Sequence, residues 1–235
     1  MRGRRPDGEH EISTLLQAVS LHDLLEVRVG DTTDLEVLGM ELPCAGENLV
    51  VKAARALEAA AGRRLPASFR LWKRIPAGSG LGGGSSDAAA ALRCLARVYG
   101  LNLDLRPIAA SVGADVSFFL NGGRARASGR GEAVQQLEDE HGWFALMWPE
   151  LAVSTADVYR RWDEVGGEPP NELQRAAALL HPELKAVVHR LGAGWQMSGS
   201  GSAFFKRCAS RAEAQRCVHG LDGWTAVTHT VSAWA

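Results

Sequence analysis

The sequence predicts an α+β protein of two lobes, and three observations carry that prediction. Strand-like and helix-like segments come in mixed runs rather than in strict βαβ repetition. A glycine-serine loop separates a half-buried strand from the clearest helix, and the rhythm changes near Phe144, where a second set of strands and helices begins. With 235 residues, 46% hydrophobic and 23% charged, the chain has a globular composition and the length for one large domain or two small ones. The division expected is 1–135 and 136–235.

The elements follow in order. Segments 24–29 and 34–38 read as short strands around the polar turn Gly30-Asp31-Thr32-Thr33. Glu47-Asn48 opens a helix over 49–61 with Leu49, Ala53, Ala56, Leu57 and Ala60 on its buried face, and Gly62 stops it. Residues 69–75 alternate apolar and polar, a half-buried strand that ends at Pro76. The next helix spans 86–99: Ser85 or Ser86 caps it, Asp87 complements its positive end, Arg93 and Arg97 lie toward its negative end, and Gly100 terminates it. A helix near 104–112 leads through Gly113-Ala114 to Asp115, after which 118–120, Asn121-Gly122-Gly123 and 124–128 read as a turn into another strand. Beyond it, 144–148 is a strand, Ser154-Thr155-Ala156-Asp157 a capping box opening a helix through Trp162, and 166–170 a loop. Helices are expected over 173–180 and 182–191, and strands over 195–197 and 203–206 flank Ser198-Gly199-Ser200-Gly201-Ser202. A capped helix from Ser210 to near Gly220 and a strand over 225–231 complete the chain.

Composition narrows the partners. A net charge of −1 provides no broad field to attract nucleic acid or an anionic membrane. The basic runs at 2–5 and at Arg63-Arg64 sit beside Gly or Pro and read as solvated loops. Cys44, Cys94, Cys208 and Cys217 form no CxxC pair and have no histidines at zinc spacing, so reduced thiols and no protein-held metal are expected. Neither a signal peptide nor an apolar run long enough for a bilayer is seen, and the chain reads as soluble and cytoplasmic. The sequence carries no signal of an oligomeric state.

Pro76-Ala77-Gly78-Ser79-Gly80-Leu81-Gly82-Gly83-Gly84-Ser85-Ser86 places five glycines and three serines in eleven positions. Glycine lets the backbone turn freely and bring N–H groups close to a ligand. The loop runs into a helix N-terminus, where unpaired amides and the helix dipole favour phosphate. The hydroxyls of Ser79, Ser85 and Ser86 can add hydrogen bonds or reach a magnesium ion. A flexible linker is the plain alternative, but strand and helix bracket the loop tightly. Gly78-x-Gly80-x-x-Gly83 also matches the dinucleotide fingerprint, with Asp104 downstream. Against that, the preceding strand carries Arg70, Lys73 and Arg74, whereas a central parallel strand is nearly all apolar, and Asp104 reads as a helix cap. The pattern GxxxxGK[ST] is absent.

Taken together, residues 76–86 and Met197-Ser198-Gly199-Ser200-Gly201-Ser202 resemble the second and third signatures of the GHMP small-molecule kinases. Gly3-Arg4-Arg5-Pro6-Asp7-Gly8-Glu9-His10-Glu11, Glu47-Asn48-Leu49, Gly113-Ala114-Asp115-Val116 and Gly129-Arg130-Gly131-Glu132 occur in the family's order. They narrow the resemblance to the branch that acts on a cytidine-diphosphate-linked methylerythritol in the non-mevalonate isoprenoid pathway. The resemblance implies a two-lobed GHMP kinase fold with a ribosomal-protein-S5-like N-terminal domain and a ferredoxin-like C-terminal domain. It implies ATP with Mg2+, and phosphorylation of the 2-hydroxyl of that small-molecule substrate.

Carried over residue by residue, Pro76, Ala77, Gly78, Ser79, Gly80, Leu81, Gly82, Gly83, Gly84, Ser85 and Ser86 would wrap the triphosphate, and Asn48 and Leu49 would lie near the adenine. Asp115 matches the family's catalytic aspartate and His10 the histidine that recognises cytosine. Gly199, Ser200, Gly201 and Ser202 would face phosphate and substrate from the second lobe. Plainer readings stand beside these: Asp115 as the cap of 116–120, His10 as an exposed loop histidine, 198–202 as an ordinary strand connection.

The sequence departs from the family in places. The family begins with a strand bearing a Pro-Ala-Lys-x-Asn-Leu type segment, whose lysine works beside the aspartate. Here the sequence opens at Met1-Arg2-Gly3, and its first lysine is Lys52, within the helix over 49–61. The expectation is that the reading frame upstream encodes that strand; the alternative is a shortened relative that binds nucleotide without turnover. Glu9 stands where the family places tyrosine against the cytosine, and the segment between Trp148 and Leu191 is compact. A homoserine- or mevalonate-type kinase is the runner-up, since it would not need the segment 4–10, while a dehydrogenase leaves 198–202 unexplained.

Overall fold

The structure, a computed structural model, describes residues 3–4, 8, 10–40 and 48–234. Of the features expected from sequence, Met1, Arg2, residues 5–7, Glu9, Cys44 and Glu47 lie outside them. The described residues form two compact units. Unit 1 holds the chain up to Arg74, Gly82–Glu140 and the tail from Val231; unit 2 holds Ile75–Leu81 and His141–Thr230.

Unit 1 contains β1 (Gly3–Arg4), β2 (His10–Gln17), β3 (Leu24–Val29), β4 (Asp34–Gly39), α1 (Leu49–Ala61), β5 (Ala67–Lys73), α2 (Gly83–Val98), α3 (Leu105–Val112), α4 (Val116–Phe119), β6 (Arg124–Gly129) and β7 (Ala133–Gln136). One sheet has the order β1-β2-β6-β7 and another β3-β5-β4. In the second, β5 is central, antiparallel to β3 and parallel to β4. Its alternation does what period-two patterning requires: Ala67, Phe69, Leu71 and Lys73 are buried while Arg70 faces solvent. Helices α1 and α2 supply Val50, Ala53, Leu57, Leu92 and Leu95 to the core shared with Phe69 and Leu71. Each fully buried leucine or phenylalanine contributes about 1.5–3 kcal/mol.

Unit 2 contains β8 (Trp143–Trp148), α5 (Thr155–Val165), α6 (Gln174–Leu180), α7 (Glu183–Leu191), β9 (Trp195–Met197), β10 (Phe204–Cys208), α8 (Arg211–Val218) and β11 (Trp224–His229). Its sheet runs β11-β8-β10-β9, antiparallel throughout. Met147, Val158, Leu184, Met197 and Phe204 form the main core with α5, α6 and α7, and Ala145, Cys208 and Ala214 form a smaller one under α8. The tail then returns to unit 1, where Val231 N donates to Ala18 O (3.1 Å) and Trp234 N to Asn121 O (2.8 Å). Among the described residues, no helix is long and apolar enough to cross a membrane.

Several local expectations are corrected. Helix α2 begins at Gly83 rather than at residue 86, and its N-cap is Gly82 rather than a serine. Tertiary packing overrides the poor helix propensity of Gly83 and Gly84. The strand before the loop stops at Lys73, not residue 75, and residues 116–119 form one helical turn ahead of the expected turn into β6. Strand β5 is central despite its charges, because Arg70 points out and Lys73, pointing in, is ion-paired.

Candidate active site

Strand β5 ends at Lys73 and α2 begins at Gly83, so the glycine loop must reverse the chain within residues 74–82. Gly80 (φ +80°) and Gly82 (φ +75°) lie in the left-handed region, where a side chain is strained. Crowding forbids one as well: a Cβ on Gly80 would sit 2.6 Å from Ser198 O and 2.7 Å from Gly201 O, and one on Gly82 would sit 2.9 Å from the Phe119 ring.

The first half of the loop belongs to unit 2 and is tied there to the second Gly-Ser loop. Ala203 N donates to Ser79 O (2.8 Å), Ser198 Oγ donates to Gly80 O (2.9 Å), and Ser79 Oγ donates to Pro76 O (2.7 Å). The structure thus brings residues 76–81 together with Gly199, Ser200, Gly201 and Ser202. Asn171, which sequence reasoning missed, holds the second loop: its Nδ2 donates to Met197 O (2.7 Å) and Gly199 O (2.8 Å), while its Oδ1 accepts from Leu173 N (2.9 Å). The Thr155 and Ser200 hydroxyls pair at 2.8 Å, and Ser202 Oγ donates to Leu151 O.

The second half of the loop belongs to unit 1 and becomes the start of α2. Asn48, Asp104, Ser154 and Ser210 cap α1, α3, α5 and α8 through their side chains, but Gly82 offers α2 none. The first-turn amides of Gly83, Gly84 and Ser85 are therefore left to an outside acceptor. Ser86 Oγ turns inward to donate to Gly83 O (2.7 Å) and Ser79 Oγ is bonded to Pro76 O, so Ser85 is the serine of this loop whose hydroxyl has no partner among the described residues. Leu49 lies beside this turn: a Cβ on Gly84 would be 3.5 Å from its Cδ1. Asn48, next to it, uses Oδ1 to accept from Val50 N (2.9 Å).

Asp115 stands at the N-cap position of α4, yet its side chain makes no capping bond. One turn of helix separates it from Phe119, the residue packed on Gly82, a span of about 6 Å. A Cβ on Gly131, in the turn between β6 and β7, would lie 3.7 Å from Asp115 Oδ1 and 3.5 Å from Ile12 Cδ1. His10 shares the β2 face of Ile12, two residues away. Unit 1 therefore gathers the loop's return, Asp115 and the β2 face bearing His10. Lys52 is engaged elsewhere, with its Nζ donating to Val112 O (2.6 Å) at the end of α3.

Two carboxyls have pKa values raised above the ordinary aspartate value. Asp115 keeps accessible surface, but the protein packed around the carboxyl desolvates it and raises its pKa above the ordinary aspartate value. Asp87 is buried, and desolvation pushes it up to about 6 in spite of the Lys73 ammonium beside it. Lys73 Nζ donates to both Asp23 Oδ2 (2.5 Å) and Asp87 Oδ2 (2.8 Å). An open cavity of about 400 Å3 lined by Leu24, Gly39, Trp72, Lys73 and Arg74 adjoins this cluster, and its lining includes none of residues 76–86.

Residues 48–123 match the family described as "GHMP kinases N terminal domain". The chain is 39% identical over 247 residues to 4-diphosphocytidyl-2-C-methyl-D-erythritol kinase of Thermus thermophilus, covering 95% of this chain and 88% of that protein. It is similar to a crystal structure of 4-(cytidine 5'-diphospho)-2C-methyl-D-erythritol kinase, with a TM-score of 0.79 and 38% identity over 97% of this chain and 93% of that one. A homoserine kinase from Cytophaga hutchinsonii shares the fold at a TM-score of 0.64 and 21% identity, over 93% of this chain and 89% of that one.

Proposed function

Because the chain belongs to the 4-diphosphocytidyl-2-C-methyl-D-erythritol kinases, a branch of the GHMP kinases, we propose that it transfers the terminal phosphoryl group of ATP to the 2-hydroxyl of 4-diphosphocytidyl-2-C-methyl-D-erythritol. The observation that carries the reading is the single turn of α4, which holds Asp115 at one end and rests Phe119 on Gly82 at the other.

The residues present fit a triphosphate. A helix of 16 residues opens with amides that no side chain caps, and Gly80 and Gly82 keep the loop backbone bare where a Cβ would clash. In our reading residues 76–86 bind the phosphates, Leu49 and Asn48 border the adenine, and Ser85 reaches the Mg2+ carried on the phosphates. Mg2+ supplies charge neutralisation when bound. Asp115 accepts the proton of the 2-hydroxyl, and its desolvated carboxyl is a better base than a solvated one. His10 recognises the cytosine. Gly199, Ser200, Gly201 and Ser202 face phosphate and substrate, while Ser198 and Ala203 on either side of them hold the Gly80 and Ser79 carbonyls. The homoserine-type alternative rests on a likeness of fold alone.

The test is ADP release by the purified protein supplied with ATP-Mg and the cytidylyl substrate. We expect turnover with that substrate and none with homoserine or mevalonate; no ADP with the cytidylyl substrate would refute the reading. Asp115→Asn should lower kcat by about a hundred- to ten-thousand-fold with nucleotide affinity retained. An unchanged rate would remove Asp115 from the chemistry.

A further inference from the structure

The ionic cluster of Asp23, Lys73 and Asp87 lies outside the site just assigned and is unusually buried. The three side chains expose only 2%, 3% and 6% of their surfaces. Two carboxylates face one ammonium, so the cluster carries a formal charge of −1 away from water, an arrangement that costs more than apolar packing of the same volume. Apolar residues would join a strand to a helix equally well, so joining them does not explain the charges.

Its position does. Lys73 is the last residue of β5, and Asp87 lies four residues into α2, on the same helix face as Gly83. The glycine loop leaves from the first and returns at the second. Asp23 grips the departure point twice, accepting from Lys73 Nζ and, through Oδ1, from Arg74 N (2.5 Å). Three hydrogen bonds to charged groups thus fix the direction in which the chain leaves the strand and the orientation in which α2 starts. That start bears the uncapped amides of Gly83, Gly84 and Ser85. Packing alone leaves a helix free to slide or rotate by a fraction of a turn; bonds with fixed directions do not.

We propose that Lys73, held between Asp23 and Asp87, is a positioning residue for nucleotide binding, aiming the first-turn amides of α2 at the phosphates without touching them. The proposal rests on the nucleotide reading given above. Its sign is distinctive. A negative cluster near a polyanion repels it, so electrostatics alone predicts tighter ATP binding when Asp87 loses its charge. Loss of the clamp predicts weaker binding.

The test measures ATP-Mg affinity by calorimetry, and thermal unfolding, for the wild-type chain and two variants. Asp87→Asn keeps the shape and an acceptor for Lys73 but weakens the bond. The triple variant Asp23→Asn, Lys73→Met, Asp87→Leu removes every buried charge, so it retains a folded state even if the single variant does not. We expect ATP affinity to fall about tenfold in Asp87→Asn and at least as far in the triple variant, the loss attending a charge-assisted hydrogen bond. The triple variant should unfold no earlier than Asp87→Asn, so that affinity and stability part company. Wild-type or tighter affinity in either folded variant overturns the proposal. If the wild-type chain itself binds no ATP, the nucleotide reading fails and the clamp with it, an outcome distinct from variants that bind as well as wild type.

Discussion

Asp87 is a carboxyl that folding removes from water, and its proton reports the event. The unfolded chain releases that proton near the ordinary value of 3.8 and the folded chain near 6, with Asp23 and Lys73 the charged groups facing it. Between those values the folded state binds more protons than the unfolded one, so the contribution of this group to stability falls as pH rises from about 4 to about 6 and is constant above. The shift corresponds to about 3 kcal/mol. Urea unfolding followed over that window should show the decline in wild type and a flatter profile in Asp87→Asn; equal slopes would mean that Asp87 titrates normally. At this scale legibility varied with how much context a residue needs. Asp115 stood out because it follows Gly113-Ala114 in the company of other motifs. Lys73 read as an obstacle to a central strand and Asp87 as a dipole partner, since a contact across 14 residues leaves no periodic trace. Asn171 was invisible for the same reason, its partners lying 26 and 28 residues away.

Among the elements, the glycine loop separates two costs that a sequence cannot distinguish. Gly80 and Gly62 both adopt left-handed backbone, at φ +80° and +64°. Beside Gly62 an added Cβ meets nothing within 4 Å, whereas beside Gly80 it meets two carbonyl oxygens of the second loop. Gly62→Ala should therefore lose about 1 kcal/mol by urea unfolding, the strain alone. Gly80→Ala should lose about 3 kcal/mol or more and weaken ATP binding, since the loops must part. Similar losses for the two would show that the contact is soft. Helix α1 was legible from its apolar spacing, its Asn48 cap and Gly62, because each signal is local and they agree. The start of α2 was read three residues late because glycine argues against helix. Strands β2 and β7 were not anticipated: HEISTLLQ does not alternate cleanly, and AVQQ is too short to show a period.

For the molecule as a whole, the path of the chain matters more than its length. The tail from Val231 is a short segment, yet it docks on both Ala18 and Asn121, forms a bridge from Ala233 to Gly122, and places Trp234 beneath the Arg93 guanidinium at 5.9 Å. Deleting 231–235 should therefore destabilise unit 1 by about 2 kcal/mol, read as a lower urea midpoint with an unchanged slope. An unchanged midpoint would mark the tail as ornament. Nothing in the composition of seven residues, Ile75–Leu81, tells which unit they pack with, because that depends on Ser79 and Gly80 finding Ala203 and Ser198 more than 115 residues later. The crossing has a consequence for heredity. A recombination joint at residue 140 would bring in a relative's second Gly-Ser loop while leaving the recipient's first, and the two would meet across the Ser79 and Gly80 carbonyls. Backbone carbonyls are the same in every sequence, so the graft asks only for a hydroxyl at position 198 in the incoming half and a bare glycine at 80 in the recipient, two conditions that the gene writes in two places.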